Sequence, residues 1–150
     1  MRILFNPADY RPDARVILLG RDQTLPEALA PALKTARFDG ELASVTEILA
    51  PAGVAAGRLL VVGMGDAPAA SAVAFERVGA AVAASLVASG ARSVAIDMSG
   101  VAGSIGAAPA AAHVALGALL RAYRFDRYRT RLPEKKKATL EEVALAGADP

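Results

Sequence analysis

The sequence contains no cysteine and only one histidine among its 150 residues. Without cysteine the chain has no disulfide framework, no thiolate metal site and no thiol nucleophile, and such a chain suits a reducing compartment such as the cytoplasm. The single histidine, His113, has no carboxylate within one helical turn, so a catalytic triad or a transition-metal site has no evident partner for it. We therefore expect an ordinary helix position for His113, and neither a catalytic residue nor a metal ligand in this chain.

Charge of one sign and long hydrophobic runs are also scarce. Seventeen basic and fifteen acidic residues give a net charge of +2, which predicts no strong attraction to nucleic acid or acidic membranes. The first residues hold only a short apolar run before Asn6, too brief for a signal sequence or a membrane span. Eight of the basic residues, however, lie between Arg121 and Lys137, against two acidic ones. The composition predicts one cytoplasmic domain with a local basic patch.

What the sequence has in abundance is apolar runs of strand length, each ended by glycine, proline or aspartate. Six such runs occur, at residues 2–5, 15–20, 43–51, 58–65, 93–99 and 142–147. Runs with few polar interruptions are typical of strands covered on both faces. The sequence therefore predicts an α/β fold whose central sheet is mixed, with about six strands.

Alanine-rich segments of helical length alternate with these runs. A capping-box pattern predicts a short or kinked helix from Thr24, broken or restarted at Pro31. Two longer segments, residues 71–89 and 109–123, carry larger apolar residues at helical spacing and are predicted to lay those residues on the sheet. The two predicted apolar stripes are Phe75, Val78, Val82 and Leu86 in the first segment, and Leu116, Leu119, Leu120 and Tyr123 in the second.

Two glycine-rich loops follow strands and precede helices, where backbone amides can hold a phosphate group. The first, VVGMGD at residues 61–66, has Pro68 where a dinucleotide-binding fingerprint needs a third glycine. The second is SGVAGSIGAAP at residues 99–109, preceded by Asp97, for which a turn or capping role is favoured. In both loops a plain turn is the alternative explanation. The candidate anion-binding residues are Gly63, Gly65, Ser99, Gly103, Ser104 and Gly106.

The stretch YRFDRYRT, residues 123–130, combines three aromatics with arginines. Arginine forms bidentate pairs with carboxylates and stacks on tyrosine rings, so the stretch fits a docking surface. The alternative is that its aromatic residues close the domain's own core. The candidate interdomain or oligomer contacts are Tyr123, Arg124, Phe125, Asp126, Arg127, Tyr128 and Arg129.

The segment GALLRAYRFDRYRT, followed by EKKK and the closing strand LEEVALAG, resembles the end of the N-terminal domain of leucyl aminopeptidases, also called cytosol aminopeptidases. The upstream blocks RLLVVGMGD and SGARSVAIDMS agree with that domain in order. The resemblance runs from about Arg15 to the C-terminus. It implies that residues 1–150 form one macro-domain-like, three-layer α/β/α domain with a basic aromatic segment at about 124–139 near its edge, and that the catalytic domain is absent.

The resemblance also implies what the parent enzyme does. Members of the family are metal-dependent hydrolases, metalloproteases that remove N-terminal residues from peptides with two divalent ions, zinc or manganese, held by the catalytic domain. They typically form hexamers. The family's catalytic signature, Asn-Thr-Asp-Ala-Glu-Gly-Arg, has no match here, so the resemblance assigns no catalytic residue to this chain. The expected role is assembly or regulation, with the enzyme's own catalytic domain and other subunits as partners.

Three alternatives remain open from the sequence. A macro-like fold could bind ADP-ribose or another phosphate ligand at the two glycine loops. The basic residues between 121 and 137 could contribute to DNA binding, which would weaken steeply with salt. The chain could also be a complete protein that has lost a catalytic half.

Overall fold

The structure, a computed structural model, describes residues 1–100, 105–123 and 133–148, with the backbone alone at residue 68. All six predicted strands are present, and their bounds differ from the predicted ones by two residues or fewer. The strands are β1 (Arg2–Phe5), β2 (Ala14–Leu19), β3 (Val45–Leu49), β4 (Arg58–Gly63), β5 (Ser93–Asp97) and β6 (Glu142–Ala146).

The strands form one sheet in the order β1-β6-β5-β2-β4-β3. The edge strand β3 is antiparallel to β4, whereas every other neighbouring pair is parallel, which confirms the predicted mixed sheet. Ala14 at the start of β2 pairs with Arg58 of β4 and Val94 of β5, so these strands begin nearly level. Their carboxyl ends therefore lie along one edge of the sheet, from which both glycine-rich loops emerge.

Helices α2 (Ala72–Leu86) and α3 (Ala107–Ala122) cover one face of the sheet. The helix α2 has the predicted inward stripe: Phe75, Val78, Val82 and Leu86 are fully buried in the main core with β-strand residues such as Val16. Full burial of a side chain of this size stabilises the fold by about 1.5–3 kcal/mol. Ser71 caps the helix, its hydroxyl accepting from the Ala74 amide at 3.4 Å.

The predicted orientation of α3 is wrong. Its buried residues are small, namely Ala110, Ala111, Val114, Ala115, Gly117 and Ala118, whereas Leu116, Leu119, Leu120 and Tyr123 are 42%, 41%, 66% and 71% exposed. The cause is the close approach of the two helices. A Cβ atom at Gly79 would lie 2.0 Å from the Val114 carbonyl oxygen, and one at Gly117 would lie 1.9 Å from the Glu76 carbonyl oxygen. A joint in which backbones touch admits only small residues, so the leucines face outward.

Helix α1 (Ala30–Thr35) is short, as expected, but it begins at Ala30 rather than Thr24. The amides of Leu29 and Ala30 both donate to the Pro26 carbonyl, so a turn occupies the residues that were predicted to start the helix. Pro31 lies in the first turn, where its missing amide costs nothing, and so it opens the helix.

The second face of the sheet is covered more thinly. Pro26 and Leu29, which precede α1, line a groove of about 430 Å³ with Ile17, Leu59 and Ala95 of the sheet. These strand residues alternate with those that face α2 and α3. The segment leading into α1 therefore forms part of a third layer. No helix within the described parts of the chain is long and apolar enough to cross a membrane.

Candidate functional site

The first glycine loop lies where β4 ends at the carboxyl edge of the sheet. The amides of Gly63, Met64 and Gly65 each donate to a main-chain carbonyl of a neighbouring segment, at 2.8 or 2.9 Å. A Cβ atom at Gly63 would lie 1.9 Å from the Glu41 carbonyl oxygen, and Gly65 has a φ of +61°. Packing and turn geometry thus explain both glycines. Because their amides are already engaged, this arrangement gives the predicted anion site at Gly63 and Gly65 no support.

The second loop follows β5. The Ser99 amide donates to Asp97 Oδ1 at 2.9 Å, so Asp97 has the turn role that its position favoured. Gly106, with a φ of +88°, is the N-cap residue of α3, and its carbonyl accepts from the Ala110 amide at 3.1 Å. Gly103 and Ser104 lie outside the described residues. Anion binding by this loop stays a prediction.

His113 has a carboxylate partner that the sequence did not reveal. Its Nδ1 lies 2.8 Å from Glu76 Oε1, which joins α3 to α2, and the two side chains are 34% and 33% exposed. The two residues are 37 positions apart, so no local pattern could have indicated the pair. Among residues 1–100, 105–123 and 133–148, no group of three histidines, cysteines or carboxylates could hold a metal ion. The pair links two helices, and the structure assigns it no chemistry.

Polar side chains form hydrogen bonds at the opposite, amino edge of the sheet, where the parallel strands begin. Asp13 Oδ2 accepts from the amides of Arg92 and Ser93 at 2.8 and 3.2 Å, while the Asp13 amide donates to Ser93 Oγ at 3.0 Å. The Tyr10 hydroxyl donates to Glu142 Oε1 at 3.4 Å. Burial, and then the negative charge of Glu142, raise the pKa of Tyr10 above its ordinary value. These contacts fix where β2, β5 and β6 begin.

The predicted docking segment begins at the end of α3. Tyr123 is the C-cap residue: its amide donates to the Leu119 carbonyl at 3.0 Å and its side chain is largely exposed. The other candidates, Arg124 to Arg129, lie outside the described residues. After them a short 3₁₀ turn, Glu134–Lys136, is exposed together with Lys137. Contacts by residues 123–129 stay a prediction, as does DNA binding by the basic segment.

Residues 5–132 match the family model described as the N-terminal domain of the cytosol aminopeptidase family. A probable cytosol aminopeptidase of Afipia carboxidovorans is 36% identical over 140 residues, covering 93% of this chain and 27% of the relative. One from Rhodopseudomonas palustris strain BisA53 is 36% identical over 138 residues, covering 92% and 26%. The chain thus spans about a quarter of the length of these curated relatives.

Solved structures with a similar fold include the bottromycin maturation enzyme BotP in complex with Mn. That similarity has a TM-score of 0.70 at 26% identity and covers 90% of this chain and 26% of the other. A mutant of tomato leucine aminopeptidase gives a TM-score of 0.76 at 23% identity, covering 98% and 32%. The second similarity supports the α/β fold alone.

Proposed function

Because the chain belongs to the cytosol aminopeptidase family, as an N-terminal domain of that family, we propose that it assembles or regulates a metal-dependent aminopeptidase and does not perform the chemistry. One observation carries the proposal: the chain matches the N-terminal domain over residues 5–132, yet it covers only about a quarter of the relatives' length. In this proposal residues 1–150 form one macro-like domain, and the catalytic domain is a separate part of the enzyme.

The proposed parent enzyme removes N-terminal amino acids from peptides. The names of the relatives, probable cytosol aminopeptidases, support this activity and a cytoplasmic location. Two divalent ions, zinc or manganese, would polarise the scissile carbonyl and activate water in the catalytic domain. The complex that BotP forms with Mn is consistent with such a requirement. This chain contributes docking, with its own catalytic domain and further copies in a hexamer as partners.

The contact region of this proposal is the segment from Tyr123 to Arg129. Tyr123 supports it, since a tyrosine that is 71% exposed at the end of a helix adds little to the domain's own core. Aromatic and arginine side chains are also the types that dominate the energy of protein interfaces. The basic aromatic segment at about 124–139 then marks the edge of the domain that faces the catalytic part.

The test uses the Afipia relative in three forms: intact, without its N-terminal region, and with that region replaced by this chain. Hydrolysis of leucyl p-nitroanilide with added Mn²⁺ or Zn²⁺ and the mass in solution are measured for each, beside this chain alone. We expect no turnover by this chain, loss of assembly in the shortened relative, and recovery of assembly and activity in the chimera.

A matched pair of variants in the chimera tests the contact region. Tyr123→Ala should weaken assembly, whereas Leu49→Ala, which removes a similarly exposed apolar side chain from β3, should not. Turnover by this chain alone would contradict the proposal and return attention to His113 and Asp97. Full assembly of the shortened relative would contradict the docking role.

A further inference from the structure

The outer side of the α2 and α3 pair carries most of the exposed large apolar side chains. Of the eight in the described residues, five lie on or at the end of these helices: Val73, Leu116, Leu119, Leu120 and Tyr123. Single exposed apolar residues are ordinary, but a contiguous group marks a contact surface. The cluster therefore marks a candidate contact surface.

A groove of about 350 Å³ runs between the two helices on this side. We define the α2–α3 groove by six of its lining residues: Val73, Arg77, Ala80, Gly117, Leu120 and Arg121. Its apolar walls include Val73 and Leu120, which are 62% and 66% exposed, and Gly117 lines it where the backbones of the two helices are in contact. A large apolar side chain fits between these walls.

The charge of the groove specifies more about the occupant. Arg77 and Arg121 both line it, and within the described parts of the chain neither forms an ion pair or a side-chain hydrogen bond. Glu76 also lines the groove, and its carboxylate is paired with His113. Two guanidinium groups beside an apolar floor complement carboxylates that flank an apolar anchor, since arginine binds carboxylates in a bidentate manner.

We propose that the α2–α3 groove is a docking surface for an acidic amphipathic helical segment of a partner protein. Its apolar side chains contact Val73 and Leu120, and its carboxylates pair with Arg77 and Arg121. A groove between two helices accepts a third helix through side chains at positions i, i+3, i+4 and i+7. This inference does not depend on the parent enzyme's activity.

The probe is a fluorescein-labelled synthetic peptide of about 16 residues, long enough to form a helix on binding, with leucines at helical spacing and glutamates between them. Its counterpart has lysines in place of the glutamates. Fluorescence anisotropy with the 150-residue chain should show binding of the acidic peptide and at least about tenfold weaker binding of the basic one. The affinity for the acidic peptide should fall as salt is raised, because exposed charges are screened.

Three variants and a control assign the binding to the groove. Arg77→Glu and Arg121→Glu should each weaken binding at least about fivefold, since arginines are enriched among the residues that dominate interfaces. Leu120→Ala should weaken it about tenfold, because the apolar area that binding buries is lost. Arg37→Glu, a charge reversal at an exposed arginine just after α1, should leave binding unchanged. Circular dichroism and the thermal midpoint confirm that each variant folds.

Three results would overturn the proposal. Equal binding of the two peptides would remove the charge complementarity, and unchanged binding by both arginine variants would place the peptide elsewhere. If the chain dimerised and Leu120→Ala abolished the dimer, this surface would be assigned to a second copy of the chain.

Discussion

The close joint between α2 and α3 makes Gly117→Ala a decisive substitution. The added Cβ atom would lie 1.9 Å from the Glu76 carbonyl oxygen, and 2.7 and 2.8 Å from its carbonyl carbon and Cα. Ordinary van der Waals contact begins at 3.4 Å, so the helices must separate by about 1.5 Å at this point. Backbone atoms of a helix cannot rotate aside as a flexible side chain can, so α2 and α3 must move as rigid bodies.

Two opposing effects set the magnitude. Alanine is favoured over glycine inside a helix by about 1 kcal/mol, which stabilises the variant. Overpacking a well-packed core costs about 1–3 kcal/mol, and occasionally more, and here the separation also loosens the contacts of Val114 and Phe75 beneath the joint. We place the overpacking cost at the upper end, so the net loss of unfolding free energy is about 2 kcal/mol. For a domain of this size that lowers the melting temperature by about 4–8 °C.

Calorimetry or thermal unfolding monitored by circular dichroism measures the shift. The matched control is Gly57→Ala, where the added Cβ atom would meet only the Asp13 carbonyl oxygen at 3.8 Å and no positive φ is required. It should be neutral or slightly stabilising, because alanine restricts the unfolded chain. A Gly117→Ala variant as stable as the Gly57→Ala variant would refute the backbone contact between the helices, and with it the explanation for the outward leucines.

Two further predictions concern the amino edge of the sheet. Asp13→Ala removes the carboxylate that accepts hydrogen bonds from the Arg92 and Ser93 amides. Because water can replace this acceptor at an exposed position, the free energy of unfolding, measured in urea, should fall by only about 1 kcal/mol. An unchanged free energy of unfolding would show that the contact is not formed in solution. Burial and the charge of Glu142 raise the pKa of Tyr10 above 10.0, so its contribution to stability is present below pH 10 and is lost as the pH rises through the folded-state value. The difference in phenolate absorbance between the unsubstituted chain and Tyr10→Phe should titrate above pH 10.0, and titration at or below that value would contradict this environment.

The sheet could be predicted from the sequence because its strands are short, apolar and punctuated. A run such as RLLVVG is buried on both faces and ends at a glycine that the turn requires, so composition and boundary agree. The inward stripe of α2 was also predictable, since its large apolar residues lie on one face of the helix and pack in the core with strand residues. Local patterns sufficed wherever the largest residues faced inward.

The orientation of α3 and the start of α1 could not be predicted, for different reasons. In α3 the usual association of large apolar residues with the core fails, because Gly79 and Gly117 bring two backbones into contact and only small residues fit. In α1 the capping pattern at Thr24 competes with a turn centred on the Pro26 carbonyl, and the turn prevails. Both outcomes depend on tertiary geometry that no local spacing encodes.

The candidate sites show the same division. The pairing of His113 with Glu76 depends on how α2 and α3 cross, which the sequence does not state. The pair Gly63 and Gly65 has the appearance of a phosphate loop, yet close packing against residues 40–44 gives each glycine a structural reason. Glycines in such a loop allow either a ligand or another segment of the chain to approach the backbone closely. A glycine signature alone therefore does not distinguish a ligand site from a packing contact.

Large apolar residues lie on the outer face of α3 because its inner face consists of small residues. Alanine and glycine already form the joint with α2, and the leucines at positions 116, 119 and 120 remain 42%, 41% and 66% exposed. Glutamate or lysine would favour a helix about as well there and would be better solvated. Large apolar residues kept at helical spacing on an exposed face therefore indicate a surface that is covered in use. Tyr123, the exposed C-cap residue of α3, lies one helical turn beyond Leu119 and Leu120 and is also the first residue of the proposed contact region.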